Sequence, residues 1–179
     1  MSSTTAVRLS RRELLKLGLG ASVALTTLGL AASLRGCSSA GPGANYRVLR
    51  DSDIPVITAL IPALVGPHPA LQANSGALQA AIDQLDLSLV WTSANLQHDV
   101  YELFDLISAP LTRGPMTGVW GAWENATPQD VEAFLLRWRD SRMDMFRQGY
   151  SALSQLLLMA WYATPASWEA AGYPGPPRI

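Results

Sequence analysis

The sequence predicts a mainly α protein, a compact bundle of about five or six helices with a long Gly/Pro/Trp loop and an extended C-terminal tail. Three observations lead there. Apolar residues recur at spacings of three and four in several stretches between residues 54 and 163, the signature of helices with one buried face. No run of alternating β-branched residues occurs, so nothing reads as a half-buried strand. The periodic stretches are separated by Gly, Pro and helix-capping residues, which punctuate helices.

The first helix is expected from a cap at Asp51 or Ser52 to about Val65, with Ile54, Ile57, Leu60, Ile61 and Leu64 at helical spacing. Pro55 suits its first turn, whereas Pro62 removes a backbone donor and is expected to kink or end the helix. Gly66 to Gly76, GPHPALQANSG, reads as a loop. From Ala77 to Trp91 the apolar positions Leu78, Ala81, Ile82, Leu85 and Leu89 alternate helically with Gln79, Asp83, Gln84 and Asp86, and a third helix follows around Ala94 to Ser108. Ala109 to Trp123, APLTRGPMTGVWGAW, is rich in Gly and Pro and is expected as an ordered loop or short turns.

Thr127-Pro128-Gln129-Asp130 starts the next helix, with threonine at the cap, proline at the first helical position and an acid at the third. Val131, Phe134, Leu135 and Trp138 make its buried face, and Gly149 is expected to break it before a strongly apolar helix, Ser151 to Ala163. Thr164-Pro165 then stops the chain. Ser167 is expected to cap a short turn ending at Gly172, and the prolines hold Tyr173 to Pro177 extended or turning.

Ahead of the bundle lies a different kind of segment. Arg8, Arg11, Arg12 and Lys16 form a basic region followed by an apolar run, Leu17 to Leu34, diluted by Gly, Ser and Thr. That is the layout of a removable export signal. Ser10-Arg11-Arg12-Glu13-Leu14-Leu15-Lys16 resembles the twin-arginine motif, with Leu14 in place of phenylalanine. The resemblance implies recognition of Arg11 and Arg12 by the twin-arginine translocase and export of a folded protein to the periplasm. An uncleaved membrane helix is the alternative, for which the small and hydroxyl residues are poorly suited. Leu34-Arg35-Gly36-Cys37 resembles a lipoprotein cleavage box; the alternatives are cleavage after Ala40 and a Cys37 without a role. Acylation of Cys37 would anchor the mature chain to the membrane. Residues 1–36 therefore read as signal peptide, 37–45 as a flexible Gly/Pro tether and 46–179 as one helical domain.

Residues 37–179 carry eight arginines, thirteen carboxylates and no lysine, a formal charge of −5. Nothing there suits a phosphate backbone, which argues against nucleic-acid binding. Cys37 is the sole cysteine, which excludes intrachain disulfides, thiolate zinc sites and iron–sulfur clusters. His68 lies between prolines; His98 can pair with Glu102 four residues on. Carboxylate pairs such as Asp83/Asp86, Asp130/Glu132 and Asp140/Asp144 read as solvated charge. No phosphate loop, dinucleotide fingerprint or Gly-x-Ser-x-Gly is present. No catalytic, cofactor-binding or metal residue is assigned. The chain is expected not to be an enzyme in its own right, a third reading with His98 and neighbouring acids in catalysis ranking last.

The six tryptophans outnumber the three phenylalanines. Trp138 and Trp161 fit a core, whereas the loop residues Trp120, Trp123 and Trp168, with Tyr173, are candidates for a partner interface, where aromatic anchors concentrate. For Trp168 a role in closing the domain's own core competes with docking.

The ending, Tyr162, Ser167-Trp168 and Gly172-Tyr173-Pro174-Gly175-Pro176, resembles the small subunits of flavin-dependent dehydrogenases, the gluconate 2-dehydrogenase subunit 3 type. The leader, the Gly/Pro tether and the stretch DSDIPVITALIPALVG, with Ile61-Pro62, agree with it. The resemblance implies a subunit without a redox group that binds a large, leaderless, FAD-containing subunit of the glucose–methanol–choline type. It carries that subunit out as a folded passenger, and electrons then pass to a cytochrome c or quinone. A free-standing exported lipoprotein with a helical ligand- or protein-binding domain is the alternative.

Overall fold

In the computed structural model, residues 41–73, 75–170 and 172–175 are described, and among them the chain is mainly helical with no strand. Arg11, Arg12 and Cys37 lie outside the described residues. Among the described residues eight α-helices follow one another: α1 (Ile54–Val65), α2 (Pro69–Ala73), α3 (Ser75–Val90), α4 (Ala94–Ser108), α5 (Pro110–Thr117), α6 (Pro128–Arg139), α7 (Asp144–Tyr162) and α8 (Pro165–Ala170). A 3₁₀ turn, Trp123–Asn125, lies between α5 and α6.

The apolar α7 packs against α1, α3, α6 and α8 and forms the axis of the bundle. Its buried residues Leu153, Leu157, Ala160 and Trp161 recur at helical spacing and meet Val56, Ile57, Leu60 and Ile61 of α1 and Ala81, Leu85 and Leu89 of α3 in one core cluster. Trp138 and Trp161, expected inside, are 2% and 0% exposed. α6 starts as its sequence predicts: Thr127 Oγ1 accepts from the Asp130 N–H at 3.2 Å, and Asp130 returns a bond to the Thr127 N–H.

The N-terminal strap, residues 46–53, is held by two carboxylates. Asp86 of α3, expected as solvated charge, is 6% exposed. Its oxygens accept from the backbone N–H groups of Arg47, Val48 and Leu49 at 2.9, 2.9 and 2.8 Å. These strap residues have no helical partners, and Asp86 supplies them. Asp53 takes the place expected of Asp51 or Ser52 before α1, but its carboxylate does not cap the helix. It accepts instead from the Arg50 backbone at 2.9 Å and from the Arg50 guanidinium, which also meets Asp105 of α4 at 2.8 Å.

Several boundaries differ from the sequence expectation. Pro62 stays within α1, because it is exposed and the helix ends one turn later, where the Gly66 N–H reaches the Pro62 carbonyl at 2.9 Å. The expected loop 66–76 contains α2, whose capping residue His68 accepts the Ala70 N–H through Nδ1 at 3.2 Å. The expected loop 109–123 contains α5, entered at Ala109-Pro110 and ended by Gly118 at φ 77°. Gly149 does not break a helix; α6 ends at Arg139 and α7 runs through Gly149 unbroken. A Cβ there would lie 2.5 Å from the Trp138 ring, so glycine is required by packing. Ser167 sits inside α8, buried, with its hydroxyl donating to the Thr164 carbonyl at 2.8 Å. Among the described residues no helix is long and apolar enough to cross a membrane.

Candidate partner surface

The four aromatic residues singled out for an interface do not share one environment. Trp123 is a correction: it is 3% exposed, its ring meets Phe134 at 5.9 Å, and its indole N–H donates to the Ile107 carbonyl at 2.9 Å. The last carbonyls of α4 have no intrahelical donors, and the following segment provides them. Thr112 Oγ1 donates to Leu106 O at 2.6 Å, Trp123 to Ile107 O, and Arg113 to Ser108 O at 3.3 Å. That demand draws Trp123 inward and closes α5 onto α4.

Trp120 is 79% exposed. Its indole lies over Gly114, where a Cβ would come within 2.5 Å of the ring. Leu111, one turn before Gly114 on α5, is 77% exposed.

The C-terminal aromatics form the more elaborate feature. Trp168 is half-buried and donates its indole N–H to the Tyr162 carbonyl at the end of α7, 2.9 Å away. Gly172, at φ 66°, turns the chain so that the Tyr173 N–H reaches the Trp168 carbonyl at 3.0 Å. Tyr173 then stands edge-on to the Trp168 ring, with centroids 5.7 Å apart, and is 48% exposed. Gly175 lies against the same indole. The tail is thus wrapped on Trp168, which is neither a core residue nor a free anchor. Beside it, Met159 and Tyr162 on the outer side of α7 are 73% and 59% exposed. The sequence reading takes this helix as strongly apolar; it cites Tyr162 only for the resemblance and does not single out Met159. Their signal was the period: Tyr162 lies nine residues beyond Leu153, half a turn out of phase with the buried stripe.

Arg50 and Tyr101 tie the strap to α4. Burial alone would lower the Arg50 pKa, but hydrogen bonds to Asp53 and Asp105 outweigh it and hold the guanidinium above its ordinary range. The same side chain lies 4.7 Å above the Tyr101 ring. Burial pushes the Tyr101 phenol up, against the opposing pull of the Arg50 charge, and its hydroxyl donates to the Val48 carbonyl at 2.6 Å. His98 pairs with Glu102 at 3.2 Å with both side chains exposed, as the spacing predicts. Asp140 sits beside Arg139, and Asp144 beside Arg147, on the solvent side. No group of three or more His, Cys, Asp or Glu able to hold a metal occurs among the described residues.

An apolar groove of about 700 Å³ runs between α1 and the start of α6, lined by Ala59, Pro62, Ala63, Ala126, Pro128 and Val131 among others. No family model, curated protein or solved structure matches the chain.

Proposed function

We propose that this chain is the non-catalytic small subunit of an exported FAD-dependent dehydrogenase of the glucose–methanol–choline type. It binds and stabilises a leaderless flavin subunit and carries it through the twin-arginine route by means of Arg11 and Arg12. A cytochrome c subunit in the same assembly takes the electrons, and an acylated Cys37 holds the complex at the periplasmic membrane face. The observation that carries the reading is the exposed aromatic rim, Met159, Tyr162 and Tyr173 around Trp168. Tyr162, Trp168 and Tyr173 are residues that bear the resemblance, Met159 lies one turn before Tyr162 on α7, and aromatic and methionine side chains of this exposure are what interface cores use.

The test is co-purification of the flavin subunit with variants of the rim. Ser167 is buried, so cutting the chain before it would disturb the body, and substitutions are the cleaner probe. Tyr173→Ala with Met159→Ala should leave the circular dichroism melt unchanged and reduce flavin-subunit recovery at least tenfold, the equivalent of about 1.4 kcal/mol. Undiminished recovery in the double variant contradicts the reading.

One observation favours a second reading, a free-standing exported lipoprotein that binds a small apolar molecule: the groove between α1 and α6. Native mass spectrometry of the exported protein separates the two. A bound apolar molecule that is lost in Ala63→Glu, with no flavin subunit attached, supports the second.

A further inference from the structure

The corner between α3 and α4 carries three exposed apolar side chains within ten residues: Leu87 at 42%, Trp91 at 84% and Leu96 at 47%. Leu87 and Trp91 are one turn apart and lie opposite the buried Leu85 and Leu89, so they form one ridge. The first turn of α4 is fastened beside them, Gln97 donating to the Leu89 carbonyl at 2.8 Å. This ridge takes no part in the resemblance.

Its position relative to the strap gives it an occupant. Leu87 lines a shallow recess together with Asn45, Tyr46, Arg47, Asp83 and Asp86, beside the point at which the chain enters the body. Asp86, next to Leu87, fixes that junction through its three backbone bonds. The chain is tied to the body from Gly43, which is buried and whose N–H donates to the Leu49 carbonyl at 2.8 Å; from Cys37 to Gly43 there are six steps, which at full extension reach about 20 Å. A body held by a lipid at Cys37 therefore keeps the Leu87 side of α3 within about 30 Å of the bilayer surface in every tether conformation. At that separation the effective concentration is in the ~mM range, where a weak apolar contact is enough.

We infer that the Leu87–Trp91–Leu96 corner rests on the lipid surface and sets the orientation of the body on the membrane. The inference rests on the membrane-anchored reading of Cys37. Tryptophan with flanking leucines suits the boundary between headgroups and acyl chains, where an amphipathic ring has both an apolar and a wet side. The charge of −5 after residue 36 gives no attraction to anionic lipid, so the surface committed to is a zwitterionic one. The acyl chains anchor, and the corner orients.

Because Cys37 is the sole cysteine, the chain from Cys37 onward, produced without its leader so that the thiol is free, can be coupled to a maleimide lipid. The probe is a phosphatidylcholine vesicle whose acyl chains are brominated near the headgroup, read by tryptophan emission. Quenching is expected relative to unbrominated vesicles, and Trp91→Phe should abolish at least half of it, while Trp120→Phe leaves it in place. Both residues are largely exposed, so neither change disturbs the core. Absence of quenching, quenching that survives Trp91→Phe, or self-association of the coupled protein through the corner would each overturn the inference. The mass of the exported protein's N-terminal peptide tests acylation separately, so the two failures are distinguishable.

Discussion

The indole of Trp123 donates to the carbonyl of Ile107 at 2.9 Å, joining the 3₁₀ turn to the C-terminal end of α4. Two other tryptophans do the same for other helices. Trp138 donates to Met116 at the end of α5, and Trp168 to Tyr162 at the end of α7, each at 2.9 Å. A helix end leaves carbonyls without donors, and in this chain indole N–H groups supply several of them.

Removing the N–H while keeping a large ring isolates that role. Trp123→Phe should destabilise the protein by about 1–3 kcal/mol, the cost of leaving a buried carbonyl unpaired. Trp120→Ala, at an exposed position, should change stability by no more than about 0.5 kcal/mol. Urea denaturation of both variants checks the contrast.

Gly149 gives a second case in which local propensity and packing disagree. Alanine in a helix interior is favoured over glycine by about 1 kcal/mol. Here its Cβ would approach the Trp138 ring to 2.5 Å, and that ring is held by Phe134, Phe146 and the bond to Met116. Gly149→Ala should therefore lower the melting temperature, the overpacking cost of about 1–3 kcal/mol exceeding the helix gain.

The strap depends on Asp86. Asp86→Ala removes the acceptor of three backbone N–H groups and should shift the urea midpoint further than Asp86→Asn, which keeps one oxygen. The amide variant should cost about 1–3 kcal/mol. Asp83→Asn, at an exposed position on the same helix, should cost almost nothing. Faster hydrogen exchange at residues 47–49 in the Asp86 variants, with the core amides of α7 still protected, would locate the effect in the strap.

Alkaline stability should report on Tyr101. Its pKa is raised in the fold, first by burial, so the folded state holds its proton while the unfolded state releases it at about pH 10. Stability from this group is full below that value and is lost as pH rises through the higher folded value. No lysine follows residue 36, so lysine ionisation does not overlay this range, and the comparison with Tyr101→Phe separates Tyr101 from the other four tyrosines. Tyr101→Phe should be less stable at neutral pH, through loss of the bond to Val48, and should decline less steeply above pH 10.

Much of this fold is written in local pattern. The buried face Val131, Phe134, Leu135, Trp138 and the capping box at Thr127 and Asp130 follow from spacing and cap chemistry alone. What is not legible is non-local. Pro110–Thr117 is a poor helix by composition and forms because Thr112, Trp123 and Arg113 bond the carbonyls of α4. Gly149 looks like a breaker until Trp138 is seen against it. Asp86 reads as one more surface acid because its partners lie 37 to 39 positions away. Of the four aromatic residues singled out by type, Trp120 and Tyr173 are exposed, Trp168 is half-buried and Trp123 is buried, a difference that residue type does not carry. Met159 and Tyr162 need the phase of the buried stripe.

The most direct test of the central claim follows the flavin, not this chain. With Arg11 and Arg12 both replaced by lysine, the general charge of the leader is kept and only recognition of the arginine pair is lost. The FAD-bearing subunit should then fall at least tenfold in the periplasmic fraction and accumulate with this chain in the cytoplasm. Normal periplasmic levels of the flavin subunit while this chain is retained, or export of this chain with no flavin subunit attached in the wild type, would contradict the account.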